Sequence, residues 1–404
     1  MKGRIADMLA AQGKHISFHT PGHKKKGADI TELSYSDNLA SPTGVIAAAQ
    51  ADAARILGAD VSFFTTDGST SGVYAMLRAL RSGGVGRLAV PVSSHVSVLR
   101  GAGLAGLELV PVAQEFSCGI ARQPTLAAVR AALEGADALL LTSPDYYGFF
   151  PELANIAALM QAQGKPLVID GAHGSHLHGT ALHASGYAQM WVDGVHKSLP
   201  AMTQGAVVSA KGEWAARLRE SIPYFRTTSP SYPILASIEY AVKYPRNERI
   251  ERAAEEAKRA LGALENPDWS KIVLPFGEKS GDARRYLEAR GVYPEFDDGN
   301  YLMFYLSPAT KLRDLKKLVR LAGRLPRAAV RDARLERAAG GGKTVALAPR
   351  QAVGRVCAQT CGLFPPCVPL LFAGDVVSEE AARRLAGAVS AFGLAEGKII
   401  VYEA

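Results

Sequence analysis

Four cysteines among 404 residues are too few for a disulfide framework. Cys357, Cys361 and Cys367 lie close together, but no histidine or fourth cysteine completes a metal-ligand spacing around them, so no metal site is expected. The simpler expectation is small buried thiols in a reducing cytoplasm. No apolar run approaches the roughly 20 residues that span a bilayer. The first residues, MKGRIADMLAAQGKH, have neither a continuous apolar stretch nor a cleavage site, which argues against a secretory signal. They read instead as a short amphipathic helix. Charge imbalance is also scarce outside one place. The net charge is +8, yet residues 311–350 alone hold 12 basic and 3 acidic side chains, and the remainder is near neutral. A chain that is basic throughout in order to bind nucleic acid is thereby excluded, and neither nucleic acid nor a membrane is an expected partner.

What is present points to a folded enzyme-sized chain. A hydrophobic content of 48% is ample for a core and excludes disorder. Length suggests two or three domains at about 150 residues each. Residues 1–45 form a polar, turn-rich N-terminal arm. Residues 46–245 read as a large domain, which over about 46–210 alternates helical stretches, such as VIAAAQADAARILG and SGVYAMLRALR, with short apolar runs. The runs are RLAVPV (87–92), LELVPV (107–112), ALLLTSP (138–144), PLVIDG (166–171) and GAVVSA (205–210). Such runs between helices predict strands of a mostly parallel sheet buried on both faces, an α/β layered domain. A helical stretch over 234–264 is broken by Pro245. Beyond it, strand-like KIVLPF (271–276) and YLMFYL (301–306) mix with helical patterns, predicting a smaller α+β domain over 246–404. Leu312, Leu315, Leu318 and Leu325 give the basic segment an apolar stripe, and Ala-Gly-Gly-Gly-Lys (339–343) marks a joint.

Three polar clusters follow apolar runs, where ligands sit in open α/β sheets. In TTDGSTSG (65–72), Gly68, Ser69, Thr70 and Ser71 feed a helix N-terminus that suits a phosphate, or is simply a capped helix start. In PLVIDGAHGSH, Asp170 ends an apolar run, where a carboxylate is costly unless paired with a cation. In WVDGVHKSLPAMTQGAVV, Lys197 lies in an apolar setting that would favour a nucleophilic amine; for a lone lysine the surface is the commoner place. Together they supply what pyridoxal 5'-phosphate needs: a phosphate cradle, an acid for the ring nitrogen and an amine for the aldehyde. His95, in VPVSSHVSVLRG, could stack on such a ring.

The chain resembles the Orn/Lys/Arg decarboxylases, bacterial fold-type-I pyridoxal-phosphate enzymes. The resemblance rests on SFHTPGHKKKG (17–27), DITELSYSDNLASPTGVIAAAQ (29–50), FFTTDGSTSG (63–72), SSHVSVLRG (93–101), IDGAHGSH (169–176), GVHKSLPAMTQGA (194–206) and TTSPSYPILAS (227–237), with weaker matches at 348–355 and 365–375. It implies a fold-type-I large domain and a cytoplasmic decarboxylase of arginine, lysine or ornithine. It implies that Lys197 holds the cofactor aldehyde as a Schiff base and that Asp170 meets the ring nitrogen. Ala172 and His95 would cover opposite ring faces, Gly68, Ser69 and Thr70 would hold the phosphate, and His173 and His196 would flank the site. His196 or Lys197 would return a proton to Cα. A homodimer is implied, with Thr228 and Ser229 reaching the neighbour's phosphate and the Asp37 segment approaching the neighbour's site.

The sequence departs from the family pattern at Gly171, where an acid is usual, at Gly194, where Ser or Thr is frequent, and at Cys367, where the family has Pro-Pro-Gly. A cationic substrate side chain should meet a carboxylate. Asp37 and Glu295 are the candidates, with the Cys367 region beside them; a solvated loop acid is the plainer reading of either carboxylate. Two other functions share these residues: transamination or another lyase step on the same cofactor, and a regulatory protein that binds the cofactor without turnover.

Overall fold

The computed structural model describes every residue except Met1, Ala28, 331–337, Ala339, 364–368, Val389 and Ala404. The first helix, α1 (Arg4–Gln12), spaces Ile5, Met8, Leu9 and Gln12 along one buried face. Its free N-terminal amides are met from elsewhere in the chain. Arg4 and Ile5 N–H donate to the Glu239 carboxylate at 3.1 and 2.9 Å. The opening segment is thus fixed to the large domain's core.

Seven strands form the central sheet: β1 (Val61–Thr65), β2 (Arg87–Pro91), β3 (Glu108–Val112), β4 (Ala138–Thr142), β5 (Leu167–Gly171), β6 (Met190–Asp193) and β7 (Ala206–Ala210). Their order is β1-β7-β6-β5-β4-β2-β3, and only β7 runs against its neighbours. Every position of β5, β6 and β7 is buried. In β5, Leu167 and Ile169 enter one apolar cluster and Val168 the other, so both faces are covered. Helices α2 (Val45–Leu57), α3 (Gly68–Ser82) and α4 (Val96–Ala105) supply much of that cover. The five runs read as strands are all present, and the sheet has two more, β1 and β6.

The helical stretch beyond is broken as expected. One helix, α5 (Tyr232–Val242), ends before Pro245, and α6 (Glu248–Ala260) starts after it. The small domain is α+β. Strands β8 (Lys271–Pro275), β9 (Phe296–Asp297) and β10 (Tyr301–Tyr305) form an antiparallel sheet in the order β8-β10-β9, with Lys271 opposite Tyr305. Ile272, Leu274, Leu302 and Phe304 pack under α6 and α7 (Leu312–Ala322). The α7 stripe is Leu315, Leu318 and Leu321; Leu325 lies past the helix end, because the chain leaves the helix at Gly323. The last helix, α8 (Glu379–Ala386), and short antiparallel strands complete the domain. Of the glycine joint, Ala339 lies outside the described residues. No helix among the described residues is long and apolar enough to cross a membrane.

Candidate active site

The carboxyl ends of β2, β4 and β5 open into one pocket, as expected for an open α/β sheet. Ser69, His95, Asp170, Ala172, His173 and Lys197 line it from the large domain. Phe296, Leu363 and Arg384 line it from the small domain. Six predicted residues from four separate segments therefore share one wall.

Asp170 is the penultimate residue of β5 and only 3% exposed. Its carboxylate accepts the Ala172 N–H at 3.2 Å, and the Lys197 ammonium acts on it through space. Burial pushes this carboxyl up, with Lys197 and the Ala172 amide opposing. Lys197 sits in the short helical turn Val195–Ser198 between β6 and β7. Its Nζ lies 3.2 Å from His173 Nε2, and Lys197 N–H donates to Gly194 O at 2.8 Å. Burial, then Lys197 and Lys271, hold the His173 imidazole well below its ordinary value. A neutral His173 accepts the Lys197 N–H and so orients the amine. His95 caps α4: its Nδ1 accepts Ser97 N–H at 3.1 Å, leaving the rest of the ring to the pocket wall. Burial, with Lys197 and Arg100, pushes it down to about 4, so it is a neutral ring at physiological pH.

The two glycines beside these groups are spatial requirements. A Cβ on Gly194 would stand 2.5 Å from Ala172 O, and one on Gly171 would stand 2.9 Å from Val192 O. The backbones that carry Asp170 and Lys197 approach too closely for side chains at either position.

Other predicted residues lie apart from this pocket. His196 Nδ1 meets Gly205 O at 2.8 Å, which makes this ring a brace for the backbone before β7. Gly68 N–H is taken by Gln204 O at 2.9 Å, so of the predicted phosphate turn only Ser69 lines the pocket; Thr70 is exposed. Ser71 ties that turn to β1 through Thr65 Oγ1 at 2.7 Å. Thr228 and Ser229 are exposed. Asp37 is 6% exposed and its carboxylate accepts the N–H groups of Asn38, Thr43, Gly44 and Ile46. Burial raises that carboxyl, but the four donors outweigh it and hold it below its ordinary value. Within its own chain Asp37 anchors the start of α2. Glu295 lies beside an adjoining cleft, with Tyr146 Oη 3.5 Å from its Oε1. Cys367 lies outside the described residues.

Several pocket residues escaped the sequence reading. Tyr146 stands edge-on to His173, with ring centroids 4.7 Å apart, and Asp145 beside it is half-buried in the pocket wall and pushed up to about 6 by desolvation. Both follow the run ALLLTSP, where the rule that found Asp170 also points to Asp145. Arg384, 9% exposed on α8, pairs with Asp298 at 3.6 Å, and its Nε has no hydrogen-bond partner among the described residues. Nothing in the sequence marks it.

The mostly parallel sheet with one reversed strand, the small C-terminal domain and the pocket between them define a fold-type-I pyridoxal-phosphate enzyme fold. The constitutive lysine decarboxylase of E. coli has a similar structure, with a TM-score of 0.72 over 99% of this chain and 81% of that one, at 18% identity. The model for the Orn/Lys/Arg decarboxylase major domain matches residues 8–266, and the chain belongs to that family. YaaO of Bacillus subtilis (strain 168), an uncharacterized protein, is 27% identical over 93% of this chain and 91% of its own length. An arginine decarboxylase of Halalkalibacterium halodurans is 26% identical, over 92% of this chain and 90% of its own.

Proposed function

We propose that this protein is a pyridoxal-phosphate-dependent decarboxylase of a basic amino acid, releasing the amine and CO2. The observation that carries the reading is Asp170: a buried carboxylate with one backbone hydrogen bond, facing the pocket that also holds the Lys197 amine. A fold does not retain such an anion without a cationic partner, and a protonated pyridine nitrogen fits the chemistry. The cofactor, when bound, supplies the electron sink for the bond to CO2. The chain's own groups do the rest. Asp170 would stand at the ring nitrogen and keep it protonated, and Lys197 is the amine that would hold the cofactor aldehyde. His173 orients that amine through its Nε2. His95 and Ala172 would cover the ring, and Ser69 at the first turn of α3 would hold the phosphate. Lys197, or His196 in the same turn, would return a proton to the substrate's Cα.

The same reading keeps an N-terminal arm (1–45), a large domain (46–245) and a small domain (246–404), in a homodimer or a higher oligomer that shares its sites. The arginine decarboxylases among its relatives put arginine first as substrate, with lysine and ornithine next. Asp37, Glu295 and Cys367 are the candidates for the substrate's far end, Glu295 from the small domain beside Tyr146 and Asp37 from a neighbouring chain. The test is a panel of amino acids incubated with the loaded protein, scored for CO2 and amine. Stoichiometric CO2 and amine from one basic amino acid supports the reading. Keto acid without CO2 would assign a transaminase, and a cofactor signal with no turnover a regulatory protein.

A further inference from the structure

The small domain places a buried cation behind the Lys197–His173 pair. Lys271, the first residue of β8, is 0% exposed. Its Nζ has no hydrogen-bond partner among the described residues and lies 3.6 Å from the centroid of the Tyr305 ring, directly across the sheet. The Tyr305 ring stands edge-on to His173 with centroids 5.6 Å apart, and its hydroxyl donates to Tyr146 O at 2.7 Å. His173 Nε2 in turn lies 3.2 Å from Lys197 Nζ. A chain of contacts therefore runs from the small domain's ammonium, across one aromatic ring and one imidazole, to the amine of the pocket.

Burying an ammonium on an aromatic face, without oxygen acceptors, is an expensive way to fill space. A methionine of similar length would occupy the same volume at no electrostatic cost. Burial pushes this ammonium down to about 8, which still leaves it charged at neutral pH. We infer that Lys271 is a positioning residue for the pocket amine, its fixed charge reaching Lys197 and His173 across the Tyr305 ring and opposing a further proton on either. Lys197 also faces Asp170 from β5, His173 from the loop after it, His95 from α4, His196 from its own turn and Glu295 from the small domain. Lys271 itself faces Asp268, Glu295 and Asp145. The acids near Lys271 keep its charge tolerable, and Arg384, a second small-domain cation at this pocket, is paired with Asp298.

The consequence is chemical. An ammonium cannot attack a carbonyl until its proton has gone to solvent. The free amine can: its nitrogen bonds to the aldehyde carbon, C=N replaces C=O, and water leaves. A nearby fixed cation raises the fraction of free amine at a given pH. This inference rests on Lys197 carrying the cofactor, as proposed above, and its test separates the two.

The full-length protein, freed of cofactor, is mixed with pyridoxal phosphate across a pH series, and the uptake rate is followed by absorbance. Borohydride trapping and peptide mapping confirm that Lys197 is the residue loaded. Lys271→Arg should keep the wild-type midpoint. Lys271→Met should move it upward by about 1 unit, so that uptake below the midpoint slows about tenfold. Should the methionine variant not fold, Lys271→Gln, polar but uncharged, must show the same shift. An unmoved midpoint in the neutral variants, or an equal shift in Lys271→Arg, would overturn the inference and leave Lys271 a packing residue. If the wild-type chain loads no pyridoxal phosphate at Lys197, the cofactor reading itself has failed.

Discussion

Asp170 carries opposite consequences for stability and for chemistry. Its carboxyl is raised by burial, so the folded state binds its proton more tightly than the unfolded chain does. The sign follows from linkage: an acid with a raised folded value costs stability above its ordinary value of about 3.9, and that cost disappears as pH falls below it. Asp170→Asn should therefore stabilise the cofactor-free protein at neutral pH, by about 1–2 kcal/mol, and the gap from wild type should close in acid. Thermal melts of the cofactor-free protein at both pH values check this. The same substitution should lower decarboxylation about 100-fold or more, because the ring nitrogen loses its charged partner. An Asn variant less stable than wild type at neutral pH would mean that Asp170 is already neutralised within the chain. At the same scale, Lys197→Ala should abolish the borohydride-trapped adduct, and an adduct that persists would assign the aldehyde to another lysine. These two residues were legible because each ends or follows an apolar run in a specific motif. Lys271 and Arg384 were not. A cation at the head of KIVLPF looks like an ordinary strand edge until the fold sets Tyr305 against it, and Arg384 reaches the pocket only through the packing of α8.

Between β5 and β7 the site depends on how closely two loops approach, a property of elements. Gly194 begins the turn that carries Lys197, and its carbonyl accepts the Lys197 N–H at 2.8 Å. Its missing Cβ leaves room for Ala172 O, in the loop that carries His173. The hydroxyl residue frequent in the family cannot be accommodated here without moving one of these loops. Gly194→Ser should then destabilise the protein by about 1–3 kcal/mol through overpacking, and weaken cofactor retention, measured by melting and by dialysis. Unchanged melting and retention would show that the two loops yield easily. The sequence displayed this departure but not its reason, because the reason is a backbone-to-backbone distance. The same limit explains which strands were missed. Long Val- and Leu-rich runs announced β2 to β5 and β7, whereas β1 and β6 include Ser62 and Asp193, both buried and both satisfied. Ser62 pairs with Ser209 at 2.7 Å, and Asp193 takes Trp191 Nε1 at 3.0 Å and His183 at 3.1 Å. Polar residues matched across a sheet are invisible in a single run of letters.

At the scale of the whole molecule, the uneven charge becomes a surface. In α7 the buried side is leucine, while Lys311 before it and Arg313, Lys316 and Arg320 along it are exposed, so the first part of the basic segment is a solvated helix face. The stronger signal of assembly is apolar. Ile16 and Phe18 are 80% and 95% exposed in the SFHTPGHKKKG segment, and large apolar side chains left in water mark a surface that is covered in use. Thr228 and Ser229 are exposed as well and do not line their own chain's pocket. The two-fold dimer with shared sites proposed above would account for both, and it has a quantitative consequence. A Lys197→Ala chain lacks the amine, and a chain with Thr228→Ala and Ser229→Ala should lack the donors it lends to its neighbour. In a mixed dimer with shared sites, both defects fall in one site and the other site is intact. Co-refolding equal amounts should therefore restore about a quarter of wild-type activity, since half of randomly paired dimers are mixed and each holds one good site. If every site is built from a single chain, the mixture gives only the average of the two parents' residual activities. Recovery above that average, growing with the fraction of mixed dimers, would establish that the pocket described above is completed by a second copy of this chain.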